Sequence, residues 1–313
     1  MKGQDPYLIR DFVEDFDALA AEFAARSREL SSRTTMRTDI AYGPRAREGL
    51  DLLFPRDARA HAPLHVFVHG GYWRSGEKAD YRFVAETPLS AGAITALVEY
   101  DLMPGQRLDA LVSQVRQALS WLQHNAPSFG ADPGRISVSG HSAGAHLSSF
   151  LAASGSGESA PELPDVKGLL LLSGIYDLSG IPYSFLRNEA AMTHEEAATW
   201  SPLSARQHHG PRRIIAYGDH ETTPFREQAK ALGESLAADG QPAQLLEAAD
   251  RNHMNIVLDL ADPGSSLGGA LAELIRTTSR WPVVREKLKT ITHNATRHDS
   301  PPAVNQQSCL PPL

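Results

Sequence analysis

The chain has 313 residues, 42% of them hydrophobic, which fits one large domain or two modest ones with a full core. Its 30 Lys and Arg against 37 Asp and Glu leave a net charge of −7, so the basic footprint of a nucleic-acid binder is missing. The single cysteine, Cys309, excludes an internal disulfide framework and a cysteine-rich zinc or iron–sulfur site, and no apolar run nears the roughly 20 residues of a membrane span.

The opening MKGQDPYLIRDF has no apolar core of signal-peptide type, so a soluble, cytoplasmic chain with no membrane partner is expected. From Asp11 to Leu30 the residues Phe12, Phe16, Leu19, Phe23 and Leu30 recur near helical spacing and predict an amphipathic helix that packs on the domain. Asp39 to Tyr42 and Leu50 to Phe54 read as two short strands around the polar turn GPRARE. From Leu64 onward short apolar runs alternate with helical stretches: LHVFVHGG, AITALVEY, the periodic LDALVSQVRQALSWLQHN, and RISVSGHS. A small-residue helix from Ala143 to Ser154 follows, then VKGLLLLSGIYD, RRIIAYGD, a helix from about Thr223 to Asp239, AQLLEAA, and a last helix from about Ser265 to Thr278.

Such alternation specifies an α/β fold: a mostly parallel, doubly wound sheet flanked by helices. Residues 178–210 interrupt it and predict a short helical cap. The expected organisation is an N-terminal helical segment over 1–36, a catalytic domain over 37–280 and a C-terminal extension over 281–313 that is disordered at its end, where packing residues are few. Edge strands and the first helix would support a homodimer.

The sharpest chemical signal is Gly140-His141-Ser142-Ala143-Gly144, placed after one predicted strand and before a helix. A serine on so tight a turn needs flanking glycines, because neighbouring side chains would clash, and the turn lifts its hydroxyl above the sheet. The amide of Ala143, at the helix start, can meet an oxyanion. Upstream, His69-Gly70-Gly71-Tyr72-Trp73 ends another strand, and its two adjacent glycines leave the backbone free to turn its amides inward, as the other half of an oxyanion hole requires. A nucleophilic serine needs a histidine base and an acid, in the chain order serine, acid, histidine. His253 fits, in the loop ADRNHMN after the last predicted strand, and the acid falls in Gly218-Asp219-His220-Glu221, with Glu221 favoured and Asp219 the alternative. Trp73, His141 and Tyr176 are candidates for the pocket wall. The pairs His208/His209 and His293/His298 lack a partnered carboxylate at convincing spacing, so no metal and no organic cofactor is expected.

With HGGYW, GHSAGAHL, SGIYDL and the late histidine in order, about Arg37 to Thr278 resembles the α/β-hydrolase superfamily, in its kynurenine formamidase (arylformamidase) branch near the hormone-sensitive lipase-like esterases. The resemblance implies an α/β-hydrolase fold and a serine hydrolase acting on a small formamide or carboxylic ester. It carries Ser142 over as nucleophile, His253 as base, and the amides around Gly70, Gly71, Tyr72 and Ala143 as oxyanion hole. Gly218, His220, Phe225 and Gln228 fall in register with the family's acid motif, with Glu221 where the family often has aspartate and Met254 where an aromatic often follows the histidine. A general carboxylesterase and a non-catalytic receptor on the same scaffold are the competing expectations.

Overall fold

Leucine- and valine-rich runs that are buried on both faces must be covered by helices on both sides, and the strands over Ala62–Val68, Ile94–Val98 and Gly168–Leu172 are buried almost throughout. The computed structural model describes residues 4–241 and 243–278. The first half contains α1 (Phe16–Arg33), β1 (Thr35–Ala41), β2 (Gly49–Phe54), β3 (Ala62–Val68), α2 (Glu86–Ser90), β4 (Ile94–Val98), α3 (Leu108–Asn125), β5 (Ala131–His141) and α4 (Ala143–Ser149). The second contains β6 (Ala153–Ser154), β7 (Gly168–Leu172), α5 (Leu186–Glu189), α6 (His194–Thr199), β8 (Arg206–Gln207), β9 (Arg212–Gly218), α7 (Thr223–Ala238), β10 (Ala243–Ala248) and α8 (Ser266–Thr277). Tight 3-10 segments lie at Ile9–Asp11, Lys78–Ala85, Ala126–Phe129, Ile181–Tyr183 and Asn255–Ala261.

Eight strands form one sheet in the order β1-β2-β4-β3-β5-β7-β9-β10. In this sheet β1 and β2 make an antiparallel hairpin that joins β4 antiparallel, and its other pairings are parallel, while β6 and β8 form a separate antiparallel pair. The carboxyl ends of β3, β5, β7, β9 and β10 therefore point the same way, which is where open α/β sheets place their ligand sites. The amphipathic face of α3 buries Leu111, Val112, Val115, Leu119 and Leu122. Among the described residues no helix is long and apolar enough to cross a membrane.

Three stretches differ from the sequence reading. The helix after Ser142 ends at Ser149 and not at Ser154: Arg116 of α3 donates to the carbonyls of Phe150 and Ala153, and Ala153–Ser154 pairs with Arg206–Gln207. These long-range partners satisfy the groups that a longer helix would have bonded internally. The first helix starts at Phe16, because the amides of Phe12 and Val13 both bond Ile9 O in a separate turn. The connection between β3 and β4 folds as Lys78–Ala85 and α2, a crossover that the strand alternation left unassigned. The excursion at 178–210 holds a 3-10 turn, α5, α6 and β8. α6 is closed by a capping box between Thr193 and Glu196, and Glu196 also pairs with Arg107 and takes the Leu108 amide at the start of α3. The expected extension at 281–313, with Cys309, His293 and His298, lies outside the described residues.

Candidate active site

Ser142 sits between β5 and α4 with φ 55° and ψ −121°, a strained backbone for a residue with a side chain. Its amide bonds Leu172 O at 2.9 Å, tying the turn to β7. The glycines on either side have a steric cause: a Cβ on Gly140 would stand 2.4 Å from Gly144 O, and one on Gly144 would stand 2.1 Å from Val68 O. Among the described residues the serine hydroxyl has no hydrogen-bond partner.

Glu221 lies three residues past β9 and is held by three contacts. Its Oε1 accepts from Ser173 Oγ at 2.5 Å and from the Gly218 amide at 2.8 Å, and its Oε2 lies 2.9 Å from His253 Nδ1. The carboxylate therefore fixes an Nδ1–H tautomer and leaves Nε2 free to take a proton. The His253 ring is packed between Phe225, at 4.4 Å between centroids, and His141, at 4.8 Å. Asp219 is directed elsewhere: its Oδ1 accepts from the Arg251 amide, and it makes no bond to His253. His141 Nε2–H donates to the carbonyl of His253 at 2.9 Å, which steadies the histidine loop, while its buried Nδ1 has no partner among the described residues. Burial, and then the adjacent His253, hold the His141 imidazole well below its ordinary pKa.

The loop after β3 is shaped by a left-handed run. Gly71 has φ +123°, where a Cβ would stand 2.0 Å from Ser75 O, and Tyr72 and Trp73 have φ 56° and 60°. His69 Nδ1–H donates to Gly70 O at 2.7 Å, and because the peptide is planar and trans this sets the opposite direction for the Gly71 N–H. The other ring nitrogen lies 2.7 Å from the buried Glu99. Burial pushes the Glu99 carboxyl up, but His69, the Lys78 amide and Arg47 outweigh it and hold it below the carboxylate range. Among the described residues the amides of Gly71, Tyr72 and Ala143 have no hydrogen-bond partner. A Cβ on Gly70 would crowd His141 O at 2.9 Å and Ser142 Cβ at 3.1 Å, so that glycine keeps the space beside the serine open.

Ser142, His141 and His253 line one cavity of about 170 Å³ with Gly71, Tyr72 and Met254. Trp73 and Tyr176, expected in its wall, are core residues. Trp73 is fully buried with its indole N–H on His146 Nδ1 at 3.1 Å, and Tyr176 is fully buried with its hydroxyl 3.4 Å from Leu171 O. Each has an interior partner for its polar tip, so neither needs the cavity. The sequence reading also missed a wall. Phe16, Ala20 and Phe23 of α1 face the cavity at helical spacing, opposite Asp80 and Tyr81 of the 78–85 turn. Only the helical periodicity of α1 was visible beforehand, and nothing in it says that the helix crosses the mouth of the site. Ser173, the second donor to Glu221, was missed as well, and no local pattern marks it.

A mostly parallel sheet with a serine elbow, a bare-amide loop and a paired carboxylate and imidazole at its carboxyl edge defines an α/β-hydrolase. The BD-FAE family profile matches residues 50–236. Kynurenine formamidases of Danio rerio and Salmo salar are 29% and 30% identical to the chain over 243 and 234 residues, covering 76% and 72% of it and 81% and 76% of their own lengths. A provisionally assigned thioesterase from a Silicibacter species, a solved structure, aligns with a TM-score of 0.75 at 27% identity, covering 88% of this chain and 99% of that one. The chain belongs to the BD-FAE family, with kynurenine formamidases among its relatives, and is a hydrolase of amide or ester bonds.

Proposed function

We propose that the protein is a serine hydrolase that cleaves a small aryl formamide or a short carboxylic ester through an acyl-enzyme. The carrying observation is that the Glu221–His253 pair, at 2.9 Å, and the strained Ser142 elbow meet at one cavity. In this reading His253 Nε2 removes the Ser142 proton as Oγ attacks the carbonyl carbon. The oxyanion is met by the amides of Ala143 and of Gly71 and Tyr72, in the space that Gly70 leaves free. The tetrahedral species collapses as His253 returns the proton to the departing amine or alcohol. Water then attacks the acyl-serine by the same route, releasing the acid. Glu221 keeps the imidazole in the Nδ1–H tautomer and offsets its transient charge.

Size narrows the substrate. Pockets for drug-sized ligands span roughly 300–1,000 Å³, so a cavity of about 170 Å³ suits a formyl or short acyl group on one ring. The relatives named kynurenine formamidase support the formamide arm, and the same residues serve an ester equally well. A fluorophosphonate probe should label Ser142, and Ser142→Ala should lower kcat by roughly 10⁶-fold. N-formylkynurenine assayed beside a simple aryl acetate then separates the two arms: equal or slower turnover of the formamide would leave a general carboxylesterase. No labelling and no turnover of either would leave a receptor on a hydrolase scaffold.

A further inference from the structure

The wall between α1 and the 78–85 turn is aromatic apart from one charged group. Phe16, Phe23, Tyr72 and Tyr81 line the cavity, and Asp80 lies among them and also borders a surface groove beside Arg28. Three nearby acids are paired, Asp51 with Lys78 and Arg82, Glu99 with His69 and Arg47, and Glu86 with Arg33, while the exposed Glu77 lies outside the cavity lining. Among the described residues the Asp80 carboxylate makes no ion pair and no hydrogen bond, and Arg28 stays beyond ion-pair distance. Its backbone is nevertheless fixed. The buried Ser27 of α1 donates to Asp80 O at 2.7 Å and accepts from the Phe83 amide at 3.2 Å, which locks the turn to the helix. The residue is exposed overall, yet partial desolvation first, then the Glu77 carboxylate, raise the Asp80 carboxyl above its usual range, with His69 pulling the other way and Glu99 and Arg28 contributing less. An acid in that setting gains from a cation.

We propose that Asp80 is a specificity-determining residue that selects substrates bearing a protonated amine, held between its carboxylate and the aromatic wall while the scissile carbonyl lies at Ser142. This rests on the serine-hydrolase reading and adds the charge of the substrate to it. A carboxylate at the mouth and aromatic faces beside it attract an ammonium together, by charge and by cation–π contact. An anionic substrate meets the unpaired Asp80 carboxylate in the cavity wall and is disfavoured.

The test uses the full-length protein and three phenyl acetates of matched size carrying 4-aminomethyl, 4-ethyl and 4-carboxy groups. The wild type should prefer the ammonium ester over the neutral one by roughly fivefold or more in kcat/KM, chiefly through KM. The carboxylate ester should be slowest. Asp80→Asn should bring the ammonium-to-neutral ratio close to one, and Asp80→Lys should favour the carboxylate ester, a reversal that loss of folding cannot mimic. High salt should shrink the wild-type ratio. Equal rates on the ammonium and neutral esters in the wild type, or an unchanged ratio in Asp80→Asn, would overturn the assignment of Asp80. Failure of the hydrolase reading looks different, because no ester would then be turned over at all.

Discussion

A glutamate reaches one carbon–carbon bond farther than an aspartate, and position 221 uses that length to touch both sides of the site. Oε1 is anchored by Ser173 and the Gly218 amide while Oε2 meets His253. Both anchors come from strand ends, Ser173 directly after β7 and Gly218 closing β9, so the carboxylate is positioned by the sheet itself. Ser173 adopts φ 52°, a left-handed conformation that aims its hydroxyl at the acid. Hydrogen bonds to a charged group contribute about 1.5–3 kcal/mol, so Ser173→Ala should lower kcat/KM by roughly 10- to 100-fold with the protein still folded. Glu221→Gln should cost more, roughly 10⁴-fold in kcat, because an amide can present its N–H to Nδ1 and favour the wrong tautomer. Steady-state kinetics on an aryl acetate would check both, and a Ser173→Ala enzyme as fast as the parent would show that the anchor is dispensable.

At the scale of elements, the decisive contact is α1 against the 78–85 turn. Phe23 packs on Phe83 at 5.0 Å and on Tyr81 at 5.7 Å, while Ser27 ties down Asp80. The N-terminal segment is held from the other side, with the Ile9 amide on the Tyr72 hydroxyl and the Phe185 amide on Asp5. α1 is thus part of the cavity wall, and Ala20 is its smallest lining side chain. Ala20→Leu adds three carbons to a space of about 170 Å³. It should raise KM for a naphthyl ester several-fold more than for ethyl acetate, and identical shifts for both would remove α1 from the wall. This wall was illegible in the sequence, whereas Gly140, Gly144 and the buried strands were plain. Glycines that answer a local steric demand and apolar runs that answer a local period leave marks within a few residues. The meeting of Ala20, Asp80 and Ser142 depends on where an amphipathic helix lands, and periodicity fixes its face but not its neighbour. Trp73 and Tyr176 failed for the same reason, since their interior partners His146 and Leu171 O lie far along the chain or across a bend.

For the whole molecule, three imidazoles enclosed in the fold link stability to pH. His65 of β3 lies between the hydroxyls of Ser137 and Ser139 at 3.0 and 2.8 Å, and burial pushes its pKa down to about 3. Burial likewise lowers His146 to about 4, against the opposing hydrogen bond to Trp200 O, and holds His141 well below its ordinary value. The native state keeps these rings neutral, while the unfolded chain takes up a proton on each below about pH 6.5. Acidification therefore favours the unfolded chain, by on the order of 1 kcal/mol per ring for each pH unit below that point. Glu99, Glu158 and Glu196, held below the carboxylate range in the fold, have the same sign but act only as the pH falls through the unfolded carboxylate range, near 4. The interval from pH 6.5 to 5 thus isolates the histidines. Chemical denaturation across it should show stability falling steadily as the pH drops, with a visibly shallower slope in a folded His65→Gln variant. Stability that stayed level or rose between pH 6.5 and 5 would mean that these rings are charged in the native protein.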